Sequence, residues 1–360
     1  MAINLASKAS AKVLERFKHA SVIDGLFTSE YDWTGVHTVR VYSVNTLPLV
    51  DYDKTLVNGA SRFGDLTEVA DTYQEMSVNQ DKAFNGSIDK GNNTQQLQIK
   101  AAGKVLKRQT DEVLIPYVDK YCLKQLAKGA GIMKIETNAL TKTNIVEAIF
   151  DANADMNNRL VTPGGRVLYI GETLYTKLKL ADQVMQKIES VAEKALVNGV
   201  VGKISDMQVR PVPDSYLPAG VQFMVVKKNT GCNPKKVETM RILNNQYIVD
   251  GAIVQGRLLH DCFVLGGRAD GIYVYTNNAS SVPVLVTNAT AGTCAVTATS
   301  VTKCYYTLDG SDPKTSSSRA ELTIANNAGT ISNVPAGATV RAYTTTTNKL
   351  DSGVAVAVNE

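Results

Sequence analysis

Two alternating runs dominate the first third of the chain: residues 35–52, GVHTVRVYSVNTLPLVDY, and residues 67–84, TEVADTYQEMSVNQDKAF. Their β-branched and aromatic residues recur at alternate positions, as expected for strands whose side chains point to two opposite faces. The segment between them includes the polar, glycine-containing stretch LVNGASRFGD at 56–65. We therefore predict a long β-hairpin. It holds few large apolar residues for a core of its own, and isolated hairpins are marginally stable in water, so it needs a partner surface.

Helical patterns flank this hairpin. Residues 4–19 read as an amphipathic helix, and residues 93–128 as a long rod that Pro116 should kink. Both carry basic residues at helical spacing: Lys8, Lys12 and Arg16 in the first, and Lys100, Lys104 and Lys107 in the second. Each stripe fits a solvated helix face or a contact with a polyanion, and the solvated face is the simpler interpretation.

The remainder of the chain divides at about residue 279. Residues 143–278 alternate helical and strand patterns, with a helix from Thr143 as N-cap, which predicts an α+β region around a central sheet. From 279 onward Ser and Thr are dense and short Val/Thr runs alternate with turn residues, which predicts a β-sandwich of about seven strands. A short polar linker at 277–283 is expected between them. The tail's charges balance, so the main body carries the chain's net +4.

The residue types argue against catalysis and bound metals. The chain has 360 residues, 44% hydrophobic, and a charge too modest to mark a dedicated nucleic-acid binder. Its five cysteines form no C-x-x-C pair, which predicts buried free thiols in a reducing compartment. The run GVVGKIS at 199–205 lacks the spacing of a phosphate loop, and the three histidines are far apart. We expect no enzyme activity and no cofactor.

The sequence also shows no pattern typical of a membrane span or a secretion signal. No run reaches the roughly 18 apolar residues of a membrane span, and the N-terminal residues lack the apolar core of a secretion signal. The expectation is a protein that stays in the cytosol where it is made and does not enter a membrane.

The order of these parts resembles the major capsid protein of tailed phages, the Hong Kong 97-type fold. Three stretches carry the resemblance most clearly: TVRVYSVNTLPLVDYDK resembles the first arm of the family's E-loop, KRQTDEVLIPYVDKYCLKQLA its spine helix with an internal proline, and GGRADGIYVY its closing P-domain strand. Segments such as RVLYIGETLYTKLK resemble parts of its A-domain. The resemblance covers about residues 1–278.

This resemblance implies an α+β fold with a defined order of regions. The regions are an N-terminal arm at 1–30, an E-loop hairpin with its return strand at 31–92, a spine helix and P-domain at 93–142, an A-domain at 143–262 and a closing P-domain strand at 263–278. The E-loop would lie on a neighbouring subunit through Val39, Val41, Tyr42, Leu49 and Tyr52. The basic residues Lys8, Lys12, Arg16, Lys100, Lys104 and Lys107 would face packaged double-stranded DNA without sequence preference.

The tail, 279–360, resembles the chitobiase C-terminal type of immunoglobulin-like β-sandwich. Its turn motif comprises Tyr306, Asp309, Gly310, Asp312 and Pro313. The family's aromatic residue after the Ser/Thr run is replaced here by Arg319-Ala320-Glu321, which weakens any transfer of a ligand site. We expect an outward, decorating domain, with host-surface or mucus glycans as an alternative ligand.

The capsid interpretation implies a virion shell protein made and assembled in the host bacterial cytoplasm. Its copies would form pentamers and hexamers, alongside head proteins such as the portal and, if one is needed, a separate scaffold. Two alternatives share part of this pattern. An encapsulin-type nanocompartment shell has the same fold but encloses cargo proteins, and a surface glycan-binding protein would account for the tail alone.

Overall fold

The computed structural model describes residues 21–31, 33, 38–44, 51–52, 54, 61–63, 66, 68–69, 71–95, 101–181, 202–246, 249–288 and 290–359. Contacts divide the chain into two compact units. The first unit comprises Met1–Asp24, Val78–Cys122 and Asn233–Asp261, and the second comprises Gly25–Ser77, Leu123–Cys232 and Cys262–Glu360.

The strands within the described residues are β1 (Thr38–Val44), β2 (Asp71–Ser77), β3 (Gln80–Asp89), β4 (Ile132–Ile135), β5 (Arg166–Gly171), β6 (Lys203–Ile204), β7 (Met207–Val212), β8 (Val221–Lys227), β9 (Gly231–Cys232), β10 (Lys235–Gln246), β11 (Val249–His260), β12 (Phe263–Val264), β13 (Ile272–Thr276), β14 (Val284–Asn288), β15 (Thr293–Thr297), β16 (Lys303–Thr307), β17 (Ala320–Thr323), β18 (Ala328–Ser332), β19 (Thr339–Thr345) and β20 (Ala355–Val358). The α-helices are α1 (Lys90–Gln95), α2 (Ala102–Gln109), α3 (Ile115–Lys128), α4 (Ile145–Asn158) and α5 (Glu172–Lys179).

The first unit is built on an antiparallel sheet in the order β10–β11–β3. The strand pattern VETMRILN at 237–244 predicts most of β10, whereas β11 and its pairing with β10 and β3 were not predicted from the sequence. Exposed Arg257 of β11 donates to the carboxylate of Asp81 on β3, at 3.0 and 2.6 Å. This bidentate ion pair ties two strands whose residues are 176 positions apart.

The single helical rod predicted over 93–128 is wrong. Ala101 is extended (φ −74°, ψ 125°), which separates α1 from α2. Pro116 was expected to kink the helix, and the structure has a π-helical turn at Thr110–Leu114, directly before α3. A wider turn fits there because proline has no amide hydrogen to continue the regular ladder.

The second unit contains a mixed six-stranded sheet in the order β4–β13–β8–β5–β7–β6. Every residue of β5 is buried, as the apolar run VLYIG after Arg166 predicts for a central strand. The ring of Phe223 stacks on Tyr275 at 5.0 Å and on Tyr273 at 6.2 Å, measured between ring centroids. Helices α4 and α5 contribute to the same core. The N-cap of α4 is Asn144, not Thr143 as predicted, and the Asn144 side chain accepts a hydrogen bond from the Thr141 amide at 2.7 Å.

The same unit ends in two antiparallel sheets, β14–β15–β18 and β17–β16–β19–β20, which we call the C-terminal sandwich (284–358). Its described residues form seven strands, the number predicted, around one apolar core. The junction before it differs from the exposed polar linker that was expected. Ala279 and Ser280 are buried, and the Ser280 amide donates to the Leu350 carbonyl at 2.8 Å. All five cysteines are buried and free, as predicted.

Candidate functional site

The predicted hairpin is present as the antiparallel pair β1–β2. Its register places Arg40 opposite Glu75 and Tyr42 opposite Tyr73. Arg40 Nε donates to Glu75 Oε2 at 2.9 Å, and the two tyrosine rings lie 6.0 Å apart. Within the described residues no third strand joins this pair. Cross-strand side-chain pairs of this kind each add a fraction of a kcal/mol, up to about 1 kcal/mol, to the pairing of the two strands.

The hairpin presents an apolar surface to solvent. Tyr42 is 63% exposed, Val44 is 70% exposed and Phe63 is 76% exposed. Leu66 is also fully exposed, and the Phe63 ring contacts that of Tyr52 edge to face at 5.1 Å. Clustered exposed apolar residues of this kind mark a surface that binds another molecule.

The base of the hairpin is fixed, in contrast to its exposed flank. Gln74 on β2 donates to the Val264 carbonyl at 2.8 Å and accepts from the Gly266 amide at 2.9 Å. Met76 is 1% exposed, and its sulfur lies 3.9 Å from the Cys232 thiol. An amide side chain that bonds in both directions sets the register of β2 against residues 264–266, so the hairpin has a fixed base.

Two of the five predicted inter-subunit residues lie on this surface. Tyr42 and Tyr52 are exposed, while Val39 and Val41 are half-buried. Leu49 lies outside the described residues. The exposed Phe63 and Leu66 were not singled out, because they sit in the polar connecting segment, where no alternation marks them.

The predicted DNA-facing residues are only partly described. Lys104 and Lys107 are exposed on α2, in the first unit, one turn apart and with no carboxylate in that helix. Lys8, Lys12, Arg16 and Lys100 lie outside the described residues. The two described lysines thus form an exposed cationic pair, as either interpretation of the stripe requires.

The turn motif of the C-terminal sandwich is a network of side-chain hydrogen bonds. Asp309 accepts from the Ser311 amide at 2.9 Å and from the Ser318 hydroxyl at 2.7 Å, while Gly310 has a φ of 74°. Burial opposes ionisation of Asp309, but these hydrogen bonds prevail and lower its pKa. Asp312 is 4% exposed, and burial raises its pKa. Both carboxylates have protein partners, as expected of a structural turn.

Polar contacts bind the C-terminal sandwich to the rest of its unit. Asp270 accepts from Arg159 Nη1 at 3.1 Å through one oxygen and from Arg341 Nη2 through the other. Lys314 Nζ donates to the carbonyls of Lys128 and Ala130, at 3.0 and 2.7 Å, where α3 ends. Burial lowers the pKa of Lys314 to about 8. We call these contacts the latch. The Lys314 ammonium satisfies carbonyls that a helix C-terminus leaves without partners.

The burial of His260 in the first unit was not predicted from the sequence. His260 is fully buried, and neither ring nitrogen has a hydrogen-bond partner within the described residues. The rings of Tyr117 and Tyr121 meet it edge to face at 5.8 and 5.5 Å. Burial, with smaller contributions from Lys235 and Lys82, lowers its pKa against the opposing effect of Asp261. Only the preceding apolar residues of β11 hint at this burial.

A cleft in the second unit is lined by acidic side chains. It has a volume of about 880 Å³ and lies between the β1–β2 hairpin and the C-terminal sandwich. Of its acidic residues, Asp309 and Asp312 are hydrogen-bonded within the turn, and Glu68 is exposed. The described residues contain no group of three or more His, Cys, Asp or Glu side chains placed to hold a metal ion. None of the described helices is long and apolar enough to cross a membrane.

Comparisons with known proteins address the fold. No protein-family model and no curated protein sequence matches the chain. A structure from Mycobacterium phage Che8 is similar at a TM-score of 0.64 and 16% identity, covering 76% of this chain and 97% of that one. The capsid structure of Cyanophage P-SCSP1u is similar at 0.61 and 15%, covering 75% and 92%. The mature capsid asymmetric unit of bacteriophage PhiM1 is similar at 0.58 and 13%, covering 76% and 92%. The chain therefore has the fold of chains found in phage capsid structures.

Proposed function

We propose that the chain is the major capsid protein of a tailed double-stranded DNA phage. The observation that carries the proposal is the β1–β2 hairpin, which is anchored at its base by Gln74 and Met76 and exposes Tyr42 and Val44 along its flank. An arm of two strands with no third strand beside it among the described residues gains stability when another subunit covers it. The likeness in fold to phage capsid chains supports the same interpretation.

The proposal assigns the regions of the Hong Kong 97-type fold to the chain. The β1–β2 hairpin is the E-loop, which lies on the adjacent subunit through Tyr42, Tyr52 and the half-buried Val39 and Val41. Strands β5 to β8 of the six-stranded sheet, with α4 and α5, belong to the A-domain, around which pentamers and hexamers form, while β4 and β13 of the same sheet belong to the P-domain. The helix α3 is part of the spine. Each arm contact is weak, but a closed shell repeats it many times, and multivalency makes the assembly stable.

The proposed DNA contact is electrostatic and independent of sequence. The exposed Lys104 and Lys107 face the packaged genome, together with Lys8, Lys12, Arg16 and Lys100. A net charge of only +4 suits this role, because a strongly cationic wall would hold DNA too tightly for release. Shells form in the host cytoplasm, with a portal and, if one is needed, a separate scaffold protein.

The C-terminal sandwich is proposed to be an immunoglobulin-like decorating domain on the outside of the shell. The latch holds it to its own subunit, so it is carried as a fixed part of the wall rather than on a flexible tether. Binding to host-surface or mucus glycans is less well supported, because the exposed face of its three-stranded sheet carries no aromatic residue on which a sugar could stack.

Electron microscopy of the purified full-length protein, alone and with neighbouring head genes, tests this function. We expect closed icosahedral particles of uniform size containing nuclease-protected DNA when packaging proteins are present. Closed shells that enclose cargo proteins in place of DNA would favour the encapsulin-type alternative. A soluble monomer under all conditions would contradict both.

A further inference from the structure

The imidazole of His260 lies in an aromatic site of the first unit. The strand register places His260 between Lys235 of β10 and Gln80 of β3, and the rings of Tyr117 and Tyr121 on α3 meet it edge to face. The residue is fully buried, and neither ring nitrogen has a hydrogen-bond partner among the described residues. A buried polar group without a partner is costly, so its place here calls for an explanation.

The two tyrosine hydroxyls bond to groups other than the imidazole. Tyr117 donates to Gln80 Oε1 at 3.3 Å, and Tyr121 donates to Asp261 Oδ1 at 2.7 Å. The second oxygen of Asp261 accepts from the backbone amide of Asn79 at 3.0 Å. One carboxylate, next to the histidine in sequence, therefore joins α3 to the backbone that leads into β3.

Charged groups on several elements act on the imidazole. Burial lowers its pKa, Lys235 on β10 and Lys82 on β3 lower it further, and Asp261 at the end of β11 raises it. The carboxylate of Asp119 on α3 is engaged elsewhere, because it accepts from the Val22 amide at 2.9 Å and from a serine hydroxyl. Asp261 is thus the neighbouring group that favours a proton on the ring.

Protonation changes what this site requires. An imidazolium has two N–H donors and a charge, and no acceptor lies within hydrogen-bond reach of either nitrogen among the described residues. A buried charge without a hydrogen-bonded partner is unstable, so the partners must rearrange. We propose that His260 acts as a proton-operated switch for Asp261. With a neutral ring Asp261 holds Tyr121 and Asn79; when a proton from solvent adds to a ring nitrogen, Asp261 binds the imidazolium and releases both.

The released amide lies at the junction of two strands. Val78 and Asn79 are the residues between β2 and β3, and Asn79 is exposed, so its amide is protected from solvent by the bond to Asp261. Loss of this bond leaves the junction free to change its backbone angles. Low pH therefore loosens the backbone that leads from the β1–β2 hairpin into β3. The switch goes beyond the proposed function, because it requires only the folded chain.

Hydrogen–deuterium exchange of the Asn79 amide tests the switch in the full-length chain. Exchange is measured at single-amide resolution at pH 7.5 and pH 5.0, and the rates are corrected for the intrinsic pH dependence of exchange. The Asn92 amide is an internal control, because it also donates to an aspartate of the first unit, Asp89 Oδ1, at 2.8 Å. We expect the protection of Asn79 to fall at least threefold at pH 5.0, while the protection of Asn92 stays unchanged.

Histidine variants identify the group that takes up the proton. H260F keeps an aromatic ring in the site but has no nitrogen to protonate, so its Asn79 amide should be equally protected at both pH values. H37F removes another histidine of the sequence and should behave as the unsubstituted chain does. H260Q repeats the test if H260F does not fold.

Two results would overturn the switch. If the protection of Asn79 in the unsubstituted chain falls no more than that of Asn92, the bond to Asp261 does not respond to pH. If the fall persists in H260F or H260Q, another group is responsible, Asp261 itself included.

Discussion

Replacing Asp270 with alanine should weaken the attachment of the C-terminal sandwich to its unit, while the Lys314 contacts of the latch remain. The Asp270 carboxylate binds Arg159 at 3.1 Å through Oδ1 and Arg341 through Oδ2. The side chains of Asp270, Arg159 and Arg341 are 24%, 29% and 14% exposed. The substitution therefore removes both ion pairs and leaves two partly buried guanidinium groups facing each other.

The expected cost follows from these contacts. A hydrogen bond to a charged group contributes about 1.5–3 kcal/mol, and partial exposure places each of these two at the lower end. We expect D270A to lose about 3 kcal/mol, which for a domain of this size corresponds to a fall in Tm of roughly 6–12 °C. The sandwich should also be cleaved faster by proteases at 277–283, because the buried Ala279 and Ser280 become accessible when the latch opens.

Differential scanning calorimetry and limited proteolysis measure both effects. The control D151A removes an exposed carboxylate from the middle of α4, and it should change Tm little. If D270A unfolds within 1 °C of D151A and is cleaved at the same rate, the Asp270 ion pairs do not help to hold the sandwich, and the reasoning from partly buried ion pairs is refuted.

Three further predictions concern the other sites. Burial lowers the pKa of His260, so the imidazole binds a proton more readily in the unfolded chain than in the folded chain. The contribution of His260 to folding stability should therefore be complete above about pH 6.5, and it should be lost as the pH falls from there through the folded pKa. H260F keeps the ring contacts with Tyr117 and Tyr121 and should flatten that dependence in denaturant titrations between pH 5 and 8, and an unchanged slope would contradict the assignment. The double variant Y42S/V44S should keep Tm within about 2 °C of the unsubstituted chain, since both side chains are exposed in the free subunit. It should lower the particle yield in electron micrographs at least tenfold, and a normal yield would show that assembly does not use the hairpin surface. Finally, K104E/K107E should assemble normally yet weaken salt-dependent DNA binding by dissociated subunits in filter-binding assays, whereas unchanged affinity would place the DNA contact elsewhere.

The sequence predicted the features that depend on local periodicity. Alternation at 38–44 marks β1, and the run VLYIG after Arg166 marks β5 as a central strand. The dense Ser/Thr tail with short Val runs predicted seven strands, which the described part of 284–358 contains. In each case residues within one element carry the signal, and sterics and burial act on neighbours along the chain.

Features that depend on distant residues could not be predicted in this way. The alternating run at 67–84 reads as one strand, but β2 ends at Ser77 and β3 begins at Gln80. The break coincides with a hydrogen bond from the Asn79 amide to Asp261, 182 residues away. The latch likewise joins Arg159, Asp270 and Arg341, and no local pattern relates their positions. Glycines at 251 and 256 interrupt the apolar pattern of β11. The sequence pattern therefore predicts neither that strand nor the burial of His260.

The account depends on whether the exposed β1–β2 hairpin is covered by a second copy of the chain. Cryo-electron microscopy of the purified full-length protein measures this directly, through the surroundings of Tyr42 and Val44. The account predicts closed shells in which both side chains are buried against an adjacent subunit. Particles in which they remain exposed, or a monomer whose hairpin folds back onto its own body, would contradict it.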